Sequence, residues 1–493
     1  MSKSSVIEKA KYMDSRESRD TDKKKKMYRM TLSDLEKLIP PSTPASTEYT
    51  EIKILPITIS SPGRYRLKVD LNSINGTIDI TESNVDLDLN GLLLTGEVCI
   101  RIKGVNLHRI NISNGIIAGS NDASRGIHIV GGQDITISKI RFDKLAYGIH
   151  LESNCQNIRV SKCVFTSPSE FKSVSILSHD PAGENITQLC IEKSFFYGDD
   201  ISVSPKIYLH TNSHVQILKC SFIDVGTAIV FTGSNNLLVK DSQFLGSPFN
   251  VFNLIQIGTP NTDTTTGVII RGCQFDITKG GLKADAIDIF GSKNTTNVVI
   301  ESSSFKLGGG SETAIRIGEA FNRPGDNSDK RSFSASNVLI QSCQIDSNQA
   351  DPCLHGIIVG CGNNIRIIHN QIQYAQKAAI LVRSLAHSQI MNNSLSNGKQ
   401  VGVLIDSDVH GNILVNNNIF SNCEAGIYLK AGSRDNLIKE NTVYSNGNGI
   451  LDIGANRVDN NTVFSNINTC DPRKIIETTP VPTIDRLRQF TDI

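Results

Sequence analysis

The chain has 493 residues and a near-balanced charge, 50 Lys and Arg against 49 Asp and Glu, formally +1. That balance leaves no electrostatic footprint for nucleic acid or an anionic membrane surface, and 39% apolar with 20% charged residues is too apolar for wholesale disorder. No apolar run approaches the roughly 18 residues of a membrane span, and eleven cysteines without a C-x-x-C pair lack the commonest zinc and thioredoxin-like signals.

Residues 1–50 read as a polar, largely disordered arm. It is basic at its start, with the run Lys23 to Lys26, and suits docking on a partner. Within it, Thr31 to Ile39 has the spacing of a short helix: Ser33 and Glu36 stand as a capping box, and Leu32, Leu35, Leu38 and Ile39 share a face. Pro40, Pro41 and Pro44 then break it as a linker. No apolar h-region precedes residue 30, so no cleavable leader is read, which implies a cytoplasmic, leaderless-exported or particle-associated protein.

From residue 51 to 466 the chain repeats. Asn84-Val-Asp-Leu-Asp-Leu-Asn90, Asn157-Ile-Arg-Val-Ser-Lys-Cys163, Asn337-Val-Leu-Ile-Gln-Ser-Cys343 and Asn364-Ile-Arg-Ile-Ile-His-Asn370 align, with apolar residues at positions 2 and 4 and a small or amide residue at position 7. A second short strand in each unit has the form small-apolar-x-apolar, as in Gly148-Ile-His-Leu151 and Gly426-Ile-Tyr-Leu429. Strict period-2 alternation without a helix-length segment predicts strands, and a unit of this size cannot bury its apolar face alone. Stacking predicts an all-β, single-stranded parallel β-helix of about fifteen coils. Position 7 is expected to point inward, so that Asn370, Asn393, Asn418, Asn441 and Asn461 form an amide ladder in line with Asn90, Cys163, Ser194 and Cys220. Residues 467–493 read as a C-terminal cap or tail.

Outward residues of stacked strands form columns. The first column along the second strand runs His128, His150, Tyr208, Val230, Gln256, Asp288, Arg316, Ile358, and the next brings Glu152, His210 and Arg383. Two polar clusters result. The first joins His128, His150, Glu152, Tyr208 and His210, groups that suit binding a sugar or abstracting a proton beside a uronate carboxylate. The second joins Asp285, Asp288, Glu312, Arg316 and His355, where paired carboxyls suit glycoside chemistry. Arg316 beside Asp288 also reads as a plain surface ion pair. Cys353 and Cys361 bracket His355, but their thiols read as packed small apolar groups, and Asp86-Leu-Asp-Leu-Asn90 and Asp406-Ser-Asp-Val-His410 resemble calcium loops in spacing only. No metal and no cofactor is expected.

Ile57-Thr-Ile-Ser-Ser-Pro-Gly-Arg-Tyr-Arg-Leu67, followed by Asn84 to Gly91, resembles the opening of right-handed β-helix repeat proteins of the pectin-lyase-like superfamily, including NosD-type proteins. Within it, Asp285 to Ser292 and His355-Gly-Ile-Ile-Val-Gly360 resemble the segments carrying the first catalytic Asp and the His-Gly motif of polygalacturonases. The adjacent Asp pair of that family is missing from Gly308 to Ile315, where Glu312 is the acid, and Arg383 stands alone where the family has Arg-x-Lys. The resemblance implies the right hand, catalytic roles for Asp285, Asp288 and His355, and substrate contacts from His128, His150, Tyr208, His210, Glu312, Arg316 and Arg383. It implies a polysaccharide or glycan partner for a hydrolase, lyase or epimerase. The alternative is a non-catalytic adhesive or tailspike-like component, homotrimeric by that likeness, with the rod as a rigid spacer.

Overall fold

Alternating apolar residues in runs of three to seven make strands too short to stand alone, and each coil supplies three of them, one more than the repeat suggests. One coil runs through Ile186–Glu192, Phe195–Tyr197 and Pro205–His210 before the next begins at Asn212. The computed structural model describes residues 48–466, apart from 74–75, 105, 167–172, 179–185, 199–203, 248–252, 259–263, 279–283, 291–294, 309–310, 319–334, 351 and 408. The expected Thr31 to Ile39 helix, the Pro-rich linker and the C-terminal tail lie outside these residues. Met1–Tyr49 separates from Thr50–Ile493 as its own unit. No helix occurs among the described residues.

Every strand pairing is parallel and coil-to-next-coil. One sheet holds 16 strands, from Ile57–Ile59 to Asn448–Asp452, and the other 32 strands form two further runs that meet at a corner. In the 16-stranded sheet, Ile127 faces Ile149, and the same column continues through Ile176, Ile207, Ile229, Ile255, Ile287, Ile315 and Ile357. A single apolar core runs inside the stack. The small residue that opens each of these strands has a steric reason: a Cβ on Gly148 would lie 2.6 Å from the Ser175 carbonyl oxygen, and one on Gly356 2.6 Å from that of Ala379.

Two internal ladders occupy neighbouring columns. Phe142, Phe165, Phe196, Phe222, Phe244, Phe275 and Phe305 stack face to face with centroids 4.6 to 4.8 Å apart, at the coil spacing a parallel stack imposes. Two residues earlier, at position 7, small polar side chains cap the preceding coil: Ser194 Oγ accepts from Cys163 N at 3.2 Å, and Ser242 Oγ from Cys220 N at 3.1 Å. The column becomes all amide at Asn370, whose Oδ1 accepts from Cys343 N at 2.9 Å.

The amide ladder then runs Asn370, Asn393, Asn417, Asn441, Asn461, each Oδ1 accepting from the N–H and amide of the residue before it at 2.9 to 3.1 Å. The member in the third coil from the end is Asn417, not Asn418, which sits opposite Ser394 and is exposed. Asn90 is likewise exposed, with buried Leu89 in its place. Both slips have one cause: the amides at 416–418 and the Leu-Asn pair at 89–90 offer two registers one residue apart, and only packing decides between faces. Two further ladders stand beside the first, Asn412–Asn436–Asn456 and Asn422–Asn446–Asn466. All ten described cysteines are free thiols.

Candidate functional site

The outward column of the 16-stranded sheet is the scaffold for both polar clusters. In register it runs Asp79, Arg101, His128, His150, Leu177, Tyr208, Val230, Gln256, Asp288, Arg316, Ile358. Leu177 interrupts the first expected cluster. The sequence reading passes from His150 to Tyr208, but the Val174–Ser178 strand forms a coil between them, so Tyr208 and His210 are separated from the two histidines by a leucine-bearing rung. An apolar residue at an outward position concealed that coil. Tyr208 is half-buried, and burial raises its phenol above the usual range.

The remaining part of that cluster is tight. His128 and His150 lie opposite each other on adjacent strands, rings stacked with centroids 5.0 Å apart and 12° between planes. Glu152, two residues past His150 on the same face, places Oε2 3.2 Å from Nε2 of His128 and Oε1 3.2 Å from Nε2 of His150. Tyr147 stacks on His150 at 5.3 Å, and the Arg125 guanidinium lies over the Tyr147 ring at 5.9 Å and 3.9 Å from Glu152. Burial pulls the His128 imidazole below its usual range, against the pull of Glu152. Arg101, Arg125 and Tyr147 were not singled out in sequence. Extending the column one coil toward the N-terminus finds Arg101, which pairs with Asp79 at 3.3 Å.

The second cluster sits five strands further along the sheet. Asp285 opens its strand and Asp288 lies three residues on; Ala286 and Ile287 between them both turn inward and are fully buried, so the two carboxylates share the outer face. Arg316 faces Asp288 in register and reaches diagonally to Asp285, Nε 2.8 Å from Oδ2. Asn253 faces Asp285 and reaches diagonally the other way, its amide 3.1 Å from Asp288 Oδ2. The surface pair expected of Arg316 is thereby corrected on two counts: its partner at 2.8 Å is Asp285, and the side chains are 20% and 6% exposed, so the pair is shielded from solvent. Asn253 was missed because an amide three residues before Gln256 carries no catalytic signature.

His355 stands in the Asp285 column two coils later, with Thr313 between them. Its imidazole is 7% exposed and, among the described residues, its Nδ1 has no hydrogen-bond partner, as is true of Thr313 Oγ1 beside it. Burial, reinforced by Lys377, Arg383 and Arg316, pushes the His355 pKa down to about 4, leaving the ring neutral at physiological pH. Glu312 belongs to the Ser311–Ile317 strand, but its side chain lies outside the described residues. Arg383 is exposed beyond the Ala378–Val382 strand. Past Arg316 the column turns apolar, with Ile358 and Leu381 packed together.

Other groupings are accounted for by packing. Burial pushes the Cys353 thiol up to about 12, and its Sγ lies 3.3 Å from the His355 carbonyl oxygen. The calcium-like spacings are met by cations of neighbouring coils: Arg64 lies 3.4 Å from Asp86, Arg66 2.9 Å from Asp88, and Lys430 3.3 Å from Asp406. Lys206 is fully buried in a column whose other members include Gly148, Ala228 and Leu254, a position the sequence reading did not single out.

Residues 332–471 match the family described as a right handed beta helix region, and with the parallel stack above this makes the fold a right-handed parallel β-helix. No curated protein matches the chain in sequence. Among solved structures, the surface protein and adhesin PfbA of Streptococcus pneumoniae is 17% identical with a TM-score of 0.44, covering 69% of this chain and 90% of that one. The tailspike of E. coli bacteriophage HK620, solved with a pentasaccharide, is 12% identical with a TM-score of 0.41, covering 81% and 71%. The pre-mature gene product 12 of bacteriophage phi29 is 13% identical with a TM-score of 0.46, covering 83% and 54%. Likenesses this distant carry no activity across.

Proposed function

We propose that the protein engages a linear polysaccharide along the outer face of its 16-stranded sheet, with Asn253 and Arg316 as the principal contact, held in place by the buried carboxylates of Asp285 and Asp288. The observation that carries this reading is the pair of parallel diagonals in successive coil gaps, Arg316 to Asp285 at 2.8 Å and Asn253 to Asp288 at 3.1 Å. Sugar hydroxyls both donate and accept, so they are recognised by carboxylate, amide and guanidinium groups whose positions are already fixed. A face that repeats at one strand spacing per coil suits a polymer more than a small molecule.

Binding is better supported than hydrolysis. A glycosidase needs a carboxyl free to act as acid beside the bond, whereas Asp285 is already engaged by the Arg316 guanidinium at 2.8 Å. That leaves Asp288 as the carboxyl for proton transfer, and the neutral His355 with the cations around it as a place for an acidic sugar. The competing use, a rigid spacer in an adhesive or particle-surface component, is favoured by the phenylalanine and asparagine ladders that stiffen the interior.

One screen separates these. Purified full chain is offered uronate-containing and neutral polysaccharides while binding, new reducing ends and the ultraviolet absorbance of unsaturated uronates are followed together. Binding that weakens in Asp288→Asn and Arg316→Ala supports the proposal, and turnover in either channel adds the reaction class. No binding across the panel, or binding indifferent to both substitutions, overturns it. Attachment lost on deleting residues 1–50, without glycan binding, identifies the spacer.

A further inference from the structure

We infer that His128, His150 and Glu152 form a binding site for a late first-row divalent metal ion of the zinc type. The inference is independent of the polysaccharide reading, because this cluster lies five strands, roughly 24 Å at one strand spacing per coil, from Asp288.

The donor set is the first argument. Two imidazoles and one carboxylate are the ligands of three-coordinate protein zinc sites that keep a fourth position open. One donor atom from each of the three residues lies within 4.8 Å of the others. The second argument is distance. Donors at roughly 2.0–2.2 Å from a tetrahedral ion stand about 3.3 Å from one another, and each Nε2 is 3.2 Å from a Glu152 oxygen. The carboxylate is therefore already placed against both rings, one oxygen on each.

The third argument is a hydrogen-bonding gap. His128 Nε2 is buried and, despite its 3.2 Å approach to Glu152, makes no hydrogen bond of acceptable angle. An imidazole aimed at a carboxylate but off the hydrogen-bond line is a costly arrangement for a pair that serves stability alone. It is the arrangement a shared ion between the two groups requires. The pairing is also built into the scaffold: strand register sets His128 opposite His150, and their side chains are 13% and 8% exposed. The site is neither a flexible surface cluster nor two histidines that happen to meet.

Arg125 works against a cation, since its guanidinium lies 3.9 Å from Glu152 and competes for the same carboxylate. This gives the test a substitution with the opposite sign. The purified full chain, untagged and stripped by chelator, is titrated with Zn2+ by calorimetry and with Co2+ by visible absorption. The expected result is saturable uptake with a tetrahedral Co2+ band. Affinity is expected to fall tenfold or more in His150→Ala and in Glu152→Gln, as loss of one of three ligands requires, and to rise in Arg125→Met. Glu152→Gln keeps the shape of the side chain, and the thermal midpoint of the stripped protein reports that the fold is intact. Failure to take up either ion overturns the assignment. So does uptake undiminished in the His128→Ala/His150→Ala pair, which would place the ion elsewhere on the chain.

Discussion

Arg316 binds Asp285 across a diagonal, Nε to Oδ2 at 2.8 Å, although the residue facing it in register is Asp288. The diagonal is possible because Ala286 and Ile287 both turn inward, which brings Asp285 back onto the outer face one position early. A charge pair this shielded cannot be treated as a surface pair worth a few tenths of a kcal/mol. Removing one partner leaves the other charge buried, at a cost of about 3 kcal/mol. Arg316→Met is therefore expected to lower the urea midpoint markedly, and Asp285→Asn in the same chain to recover part of the loss. Additive losses in that double-mutant cycle would show that the two side chains do not couple.

The amide ladder makes a sharper contrast, between adjacent residues of one type. Asn417 Oδ1 accepts from Asn393 N and Nδ2, and its own amide donates to the Ile390 carbonyl and to Asn441. Asn418, one residue on, is exposed. Asn417→Leu strands several buried polar groups, each costing about 1–3 kcal/mol when left unpaired, so the variant is expected to fold poorly or unfold at much lower urea. Asn418→Ser is expected to stay within about 0.5 kcal/mol of the parent. Equal effects at the two positions would mean that the ladder runs through neither as described.

How far the sequence could be read follows from what each signal measures. Period-2 alternation and the Asn at position 1 made the parallel β-helix legible, because burial on one face leaves a strong binary pattern. The Asn at position 1 has a backbone reason as well: Asn84, Asn157, Asn297, Asn337 and Asn364 adopt φ between 52° and 60°, a left-handed turn that asparagine tolerates better than most residues. Register within a run of like residues was not legible, hence Asn418 for Asn417. The other two amide ladders were readable in principle, since Asn412, Asn417 and Asn422 are spaced by five and recur at Asn436, Asn441 and Asn446. The column reading brought His128, His150 and Glu152 together, and Asp288 beside Arg316. It failed at Leu177, because an outward apolar residue looks like no residue of a polar column. It also missed the diagonal contacts of Asn253 and Arg316, which depend on side-chain reach that strand spacing does not encode.

Thiol reactivity tests the placement of the cysteines independently. Burial pushes Cys99, Cys220, Cys273, Cys343 and Cys353 up to about 12 and Cys163 to about 11, whereas Cys423 is exposed. Since the thiolate is the reactive form, a brief alkylation of the native protein followed by peptide mapping is expected to mark Cys423 first among the described cysteines. The buried thiols should react only after denaturation. Rapid native labelling of Cys220 or Cys273 would contradict an inward position 7.

His355 supplies a pH dependence with a definite sign. Burial and the charges of Lys377, Arg383 and Arg316 hold its pKa at about 4 in the folded chain, against an ordinary value of 6.5. Between those values the unfolded chain binds a proton that the folded chain refuses, so stability increases with pH across the window and is complete above its upper limit. Acidifying from about pH 7.5 to about pH 5 is expected to remove roughly 2 kcal/mol through this residue alone, since a tenfold difference in proton affinity between the two states corresponds to about 1.4 kcal/mol. His355→Gln abolishes that titration while keeping a polar side chain of similar reach. Between about pH 7.5 and about pH 5 the urea midpoint of the parent should therefore fall further than that of the variant. Parallel pH profiles would place the acid-sensitive group elsewhere and return His355 to an ordinary solvated imidazole.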